Sequence, residues 1–91
     1  MLPKVITREF IEKFMELDGC KADIHIKHCL YGNQKLNRCV LHPFVDEERV
    51  GFVADDGENK YIRMDELLEL YIDYAKCIIK SDVMTFELMM Q

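Results

Sequence analysis

No apolar run in this chain exceeds a few residues. That absence removes a membrane-spanning helix, which needs about 20 consecutive apolar residues, and a secretory h-region. Lys4, Arg8 and Glu9 also break up the N-terminus, so the expected location is cytoplasmic and no membrane partner is expected. Basic charge is scarce as well. Twelve Lys and Arg stand against 17 Asp and Glu, giving a formal charge of −5, a field that repels a polyanion unless the basic groups gather on one face. Nucleic acid is therefore disfavoured as a partner. The chain has no Gly-rich phosphate loop, and its Asp55-Asp56-Gly57-Glu58-Asn59 stretch lacks the alternating ligands and distal Glu of a calcium loop. No cofactor is called for. The four cysteines are expected to be free thiols in a reducing compartment, with Cys39 and Cys77 as small buried hydrophobes.

With 91 residues, 49% of them apolar and 32% charged, the chain has the composition of one folded domain spanning residues 1–91. Thr7 is a suitable N-cap. Behind it Phe10, Ile11, Phe14, Met15 and Leu17 fall at helical spacing, with Arg8, Glu9, Glu12, Lys13 and Glu16 outward. Ile6 and Ile11 are placed to form a hydrophobic staple, and Asp18-Gly19 ends the helix. From Lys21 to His28, Ala22, Ile24 and Ile26 alternate with Asp23, His25 and Lys27, the period of a half-buried strand. A second strand is predicted from Leu36 to about Phe44, with Pro43 placing its end at an edge or bend.

The clearest local signal is a hairpin. Val50, Phe52 and Ala54 alternate with Gly51, Val53 and Asp55, Gly57 supplies a tight reversal, and Tyr61 to Met64 begin the return. Strands are thus predicted near 49–54 and 60–64. Two patterns compete beyond it. Met64, Leu67, Leu68, Tyr71, Ile72, Ala75, Ile78 and Ile79 lie on a helical stripe, so residues 65–79 fit a second helix. The same stretch also reads as strands Leu67–Ile72 and Lys76–Ile79 around an Asp73-Tyr74-Ala75 reversal. Val83 to Met90 alternates like a terminal strand in need of an antiparallel neighbour, which favours the strands. The expected class is α+β and β-rich, with the helix packed on a bent antiparallel sheet or small barrel.

In layout, a helix followed by ADIHIKH, KLNRCVLHPF, RVGFVAD and NKYIRMDELLELYI resembles Sm-like and other SH3-like small β-barrel domains over about residues 5 to 72. The resemblance implies a barrel and, as one functional alternative, an RNA-binding oligomer. Its RNA-binding signatures are not matched: IRMDELLEL has no Tyr-Lys-His, and IIKS stands where other members have Ile-Arg-Gly. No residue role follows from it.

Two groups of residues invite a chemical reading. His25, His28, Cys29, Cys39 and His42 are zinc-ligand types on either side of a short loop. Strand alternation, however, aims His25 and His28 at opposite faces, and likewise Cys39 and His42, which argues against a shared metal. A thiol paired with a nearby histidine is the corresponding enzymatic alternative. The second group, Phe86, Leu88, Met89 and Met90, ends the chain in adaptable apolar side chains and is the candidate interface. The expected function is accordingly non-enzymatic, through contact with a protein partner or another copy of the chain. RNA binding would depend instead on Lys35, Arg38, Lys60 and Arg63.

Overall fold

The computed structural model describes residues 6–55 and 57–91; the lead with Pro3 and Lys4, and Asp56 in the hairpin turn, lie outside the described residues. Helix α1 spans Arg8–Met15. The Thr7 hydroxyl oxygen accepts the Phe10 N–H at 3.0 Å, filling one of the four orphan donors at a helix start. Phe10 and Phe14 are buried and stack at 5.4 Å, so the apolar stripe covers the domain's own core. No helix among the described residues is long and apolar enough to cross a membrane.

Among the described residues eight strands follow: β1 Lys21–His28, β2 Gly32–Val40, β3 His42–Val45, β4 Arg49–Val53, β5 Asn59–Arg63, β6 Leu67–Ile72, β7 Lys76–Ser81 and β8 Met84–Met90. They form two antiparallel sheets, one of five strands in the order β2-β1-β8-β7-β6 and one of three in the order β3-β4-β5. The fold is the β-rich α+β class expected, but the described strands close no barrel. Between the sheets lie Ile24, Val50, Phe52, Ile79, Phe86 and Leu88, all essentially inaccessible to water. Phe52 from the small sheet meets Phe86 from the large one edge to face, with centroids 5.3 Å apart.

Residues 65–79 are strands, not the alternative second helix. A 3-10 turn at Met64–Glu66 leads into β6. Asp73 then reverses the chain, its carboxylate accepting the N–H groups of Ala75 (2.7 Å) and Lys76 (2.8 Å). An aspartate that caps its own turn competes with helix continuation. Cys77 and Ile79 point into the core while Ile78 faces outward opposite Glu87, a period of two that no helix reproduces.

The predicted Leu36–Phe44 strand is two strands in different sheets. Arg38 adopts a positive φ of 53° at a bulge opposite Asp23, whose carboxylate accepts the Arg38 N–H at 2.8 Å. Leu41, fully buried, then carries the chain across. Its N–H donates to the Cys20 carbonyl and its own carbonyl accepts from Gly19, both at 2.8 Å. Bulges bend strands by leaving one residue unpaired, and here the bend moves the chain to the second sheet. Pro43 sits on β3, an edge strand, where its missing N–H costs no ladder bond.

The candidate interface is also corrected. Phe86 and Leu88 belong to the core, because β8 lies between β1 and β7 with both edges paired. Met90 is half-buried, and its N–H donates to the Ala75 carbonyl. Only Met89, 46% exposed on the outer face, is accessible to a partner.

The predicted hairpin is present as β4 and β5, with Gly57 at φ 81°. Gly51 serves another purpose. It lies directly between Phe44 and Tyr61 on neighbouring strands, and a Cβ there would sit 2.0 Å from the Lys60 carbonyl oxygen and 2.6 Å from Tyr61 Cα. At Gly57 an added Cβ meets no atom within 4 Å. Gly57→Ala should therefore cost about 1 kcal/mol, from backbone conformation alone, whereas Gly51→Ala should cost about 3 kcal/mol or more because backbone must move. Denaturant titration of the two variants checks this ordering.

Candidate functional site

Large-sheet alternation decides where the zinc-ligand types go. His25 is on the outer face of β1, flanked across the ladder by Lys35 and Glu87. His28 shares the inward parity of Ile24 and Ile26 but lies at the strand's end. Its Nδ1 accepts the N–H groups of Leu30 at 3.1 Å and Tyr31 at 3.3 Å. Cys29 is exposed and Cys39 is buried, the latter accepting the Asp55 N–H at 3.4 Å. His42 belongs to the other sheet and pairs with Asp18 through Nδ1 at 3.1 Å. Among the described residues no three His, Cys, Asp or Glu side chains are grouped to hold a metal ion. His25 and His28 lie on opposite faces of β1, and Cys39 and His42 stand in different sheets.

The four basic candidates are scattered too. Lys35 lies on the outer face of β2, opposite His25; Arg38 is at the bulge; Lys60 pairs with Glu58 at 2.7 Å and Arg63 with Asp65 at 2.9 Å. Residues 46–66 contain eight acidic against three basic side chains, which is the chain's whole excess of −5. The β4–β5 hairpin and its flanks thus form an acidic lobe. Within it the Arg49 guanidinium lies 5.2 Å from the ring centroids of both Phe44 and Tyr61, a cation–π sandwich anchored by Asp46, which accepts from Arg49 Nε at 3.2 Å and Nη2 at 3.1 Å. The Glu48 and Arg49 backbone N–H groups also donate to Asp46. These bonds, led by that of Glu48, hold its carboxyl below the usual range.

Two adjacent large apolar side chains are exposed at the turn between β1 and β2, while Tyr74, 97% exposed, stands singly at the β6–β7 turn. Leu30 is 79% exposed and Tyr31 86%, at positions where turns ordinarily carry Gly, Asn, Asp or Ser. The tip is nonetheless ordered. The His28 ring takes both N–H groups of the turn and lies against the Tyr31 ring with centroids 4.5 Å apart. The neighbouring β7–β8 turn joins it, the Cys29 N–H donating to the Val83 carbonyl at 2.9 Å, and Val83 adds a further exposed apolar group. Beside the tip a cleft of about 270 Å³ opens between β2 and β5, lined in part by Ile26, Gln34, Lys60, Met84 and Phe86.

No protein-family model matches this chain, and comparison with curated proteins and with solved structures finds no match. The function must be argued from the site alone. Sequence reasoning treats Cys29 to Asn33 only as the end of a strand; the available signal is the pair of large apolar residues at a tight turn.

Metal content, thiol reactivity and alkaline stability test the assignments of cysteine and histidine. The thermal midpoint should be the same with and without a strong chelator, and purified protein should carry less than stoichiometric zinc. One tightly held zinc per chain, lost in Cys39→Ala and His42→Ala, would restore the metal reading. Cys20 and Cys29 should react at once with a thiol reagent, and Cys39 and Cys77 only on unfolding. Burial pushes the Cys77 thiol from its ordinary 9.0 up to about 12. The unfolded chain then binds fewer protons above 9.0, so the Cys77 contribution to stability falls as pH rises from 9.0 to about 12. In Cys77→Ala that part of the alkaline decline should vanish.

Proposed function

We propose that this domain is a non-enzymatic contact module that engages protein surfaces, beginning with a second copy of itself, through the Leu30–Tyr31 tip. The observation that carries this reading is the exposure of those two side chains on a turn pinned by His28. Exposed apolar surface beyond what folding requires marks an interaction site, and an ordered loop loses less entropy on docking than a mobile one. Tyrosine brings a large amphipathic ring with few rotatable bonds. A knob of this kind is compatible with a two-fold contact, in which each copy presents the same residues to the other.

The test is sedimentation velocity over a concentration series. Wild type should associate reversibly, and the double variant Leu30→Ser, Tyr31→Ser should sediment as a monomer with stability changed by no more than about 0.5 kcal/mol, as expected of exposed positions. Met89→Asp, on the outer sheet face, should leave association unaltered. A wild type that stays monomeric at the highest concentration, or dissociation caused by Met89→Asp instead, would defeat this assignment.

A further inference from the structure

The Leu30–Tyr31 tip is held by an acceptor that a proton can remove. His28 Nδ1 takes the N–H groups of Leu30 at 3.1 Å and Tyr31 at 3.3 Å, and a ring nitrogen accepts only while its lone pair is free. The neutral ring must therefore carry its proton on Nε2. Imidazolium has a hydrogen on both nitrogens, so protonation turns Nδ1 into a donor aimed at two other donors. Both bonds are lost together. The Tyr31 ring lies against His28 with centroids 4.5 Å apart, and because a cation also rests favourably on an aromatic face, this stacking does not oppose the proton.

Two clefts bring charged or titratable groups to His28: Lys60 and Tyr61 of β5, with Tyr31, on one side, and Lys27, Cys29, Lys80 and Asp82 on the other. Lysine, tyrosine, cysteine and aspartate ordinarily change charge outside about pH 5 to 7.5, whereas imidazole changes within that interval. A change at the tip over that range is therefore the work of His28. The other two histidines stand apart from it, His25 on the outer face of β1 and His42 in the small sheet.

We propose that His28 is a proton-operated latch on the contact tip: the neutral ring fixes Leu30 and Tyr31 for docking, and protonation releases them and weakens the contact. Only its second half rests on the contact reading, since release of the tip is a property of a single copy. The sign is distinctive. The chain carries −5 with its three histidines neutral, and so −2 with all three protonated; acidification relieves repulsion between copies and by itself would strengthen association. The latch requires the reverse.

NMR titration from about pH 8 to about pH 5.5 reads the release, and sedimentation velocity over the same range reads the contact. The Leu30 and Tyr31 amide shifts should follow the His28 ring with a common midpoint, and wild-type association should weaken about ten-fold, the loss expected from two modest hydrogen bonds. His28→Asn supplies a side-chain oxygen that accepts turn N–H groups without titrating. It should associate equally at both ends of the range, and His28→Ala weakly at both. Tip amides that keep their shifts while the His28 ring titrates, a ring that stays neutral to the acid end, or a wild type that associates more tightly on acidification would overturn the latch. So would an unchanged pH dependence in His28→Asn. A wild type monomeric even at the alkaline end defeats the contact reading, and the amide titration then decides by itself whether the proton opens the tip.

Discussion

The pairing of the first strand with the last holds this domain together. β1 and β8 are joined in register from Ala22↔Met90 to His28↔Met84, and β8 is thereby enclosed between β1 and β7. Without that ladder the β1–β2 hairpin would be separate from the β6–β7–β8 meander, and an isolated hairpin is marginal alone. With it they become one five-stranded sheet whose inner face sets Ile24, Ile79, Phe86 and Leu88 against Phe52 of the smaller sheet. The pairing closes a loop that contains every other strand but not the helix, so its entropy must be offset by burial gained all at once. A fold of this topology forms slowly compared with a helical one of the same size.

The two sheets distribute charge differently. The outer face of the large sheet mixes signs, as in the Lys27–Glu87 pair at 2.8 Å, where the lysine, chiefly by its hydrogen bond, keeps the Glu87 carboxyl below its ordinary range. The segments that join and flank the small sheet carry the excess negative charge, while its strands carry only Arg49, Lys60 and Arg63; Asp46 grips Arg49, and Arg49 is held between Phe44 and Tyr61. Gly51 makes that arrangement possible by leaving no side chain between the two rings. Packing and electrostatics there depend on the same residue.

Helix α1 packs against β6 and β3, bridging the two sheets on one side. The other side, between β2 and β5, is where the cleft opens. The same asymmetry puts the inward Lys60 at the mouth and the pinned Leu30–Tyr31 turn beside it. The proposed contact tip stands at this side, where no helix among the described residues covers the sandwich. The acidic lobe formed by residues 46–66 adjoins this opening through β5, a field that disfavours polyanions and is tolerated by neutral apolar surfaces.

Much of the local structure is legible in the sequence, since it rests on interactions between near neighbours. The Thr7 cap, the two-residue period of Lys21–His28, the Gly57 reversal and the Asp73 turn are all of this kind, and each is found. Strand alternation accounts for His25 and His28 on opposite faces of β1, but Cys39 and His42 are parted by the crossing at Leu41. What local pattern does not contain is which strands become neighbours. The bulge at Arg38 and the crossing at Leu41 divide an apparently continuous strand between two sheets. The insertion of β8 turns Phe86 and Leu88 from a candidate interface into core. The cleft exists only because residues distant in the chain are brought beside one another, whereas the Leu30–Tyr31 turn is pinned locally by His28. Periodicity reports which face a side chain takes; tertiary pairing decides what that face meets.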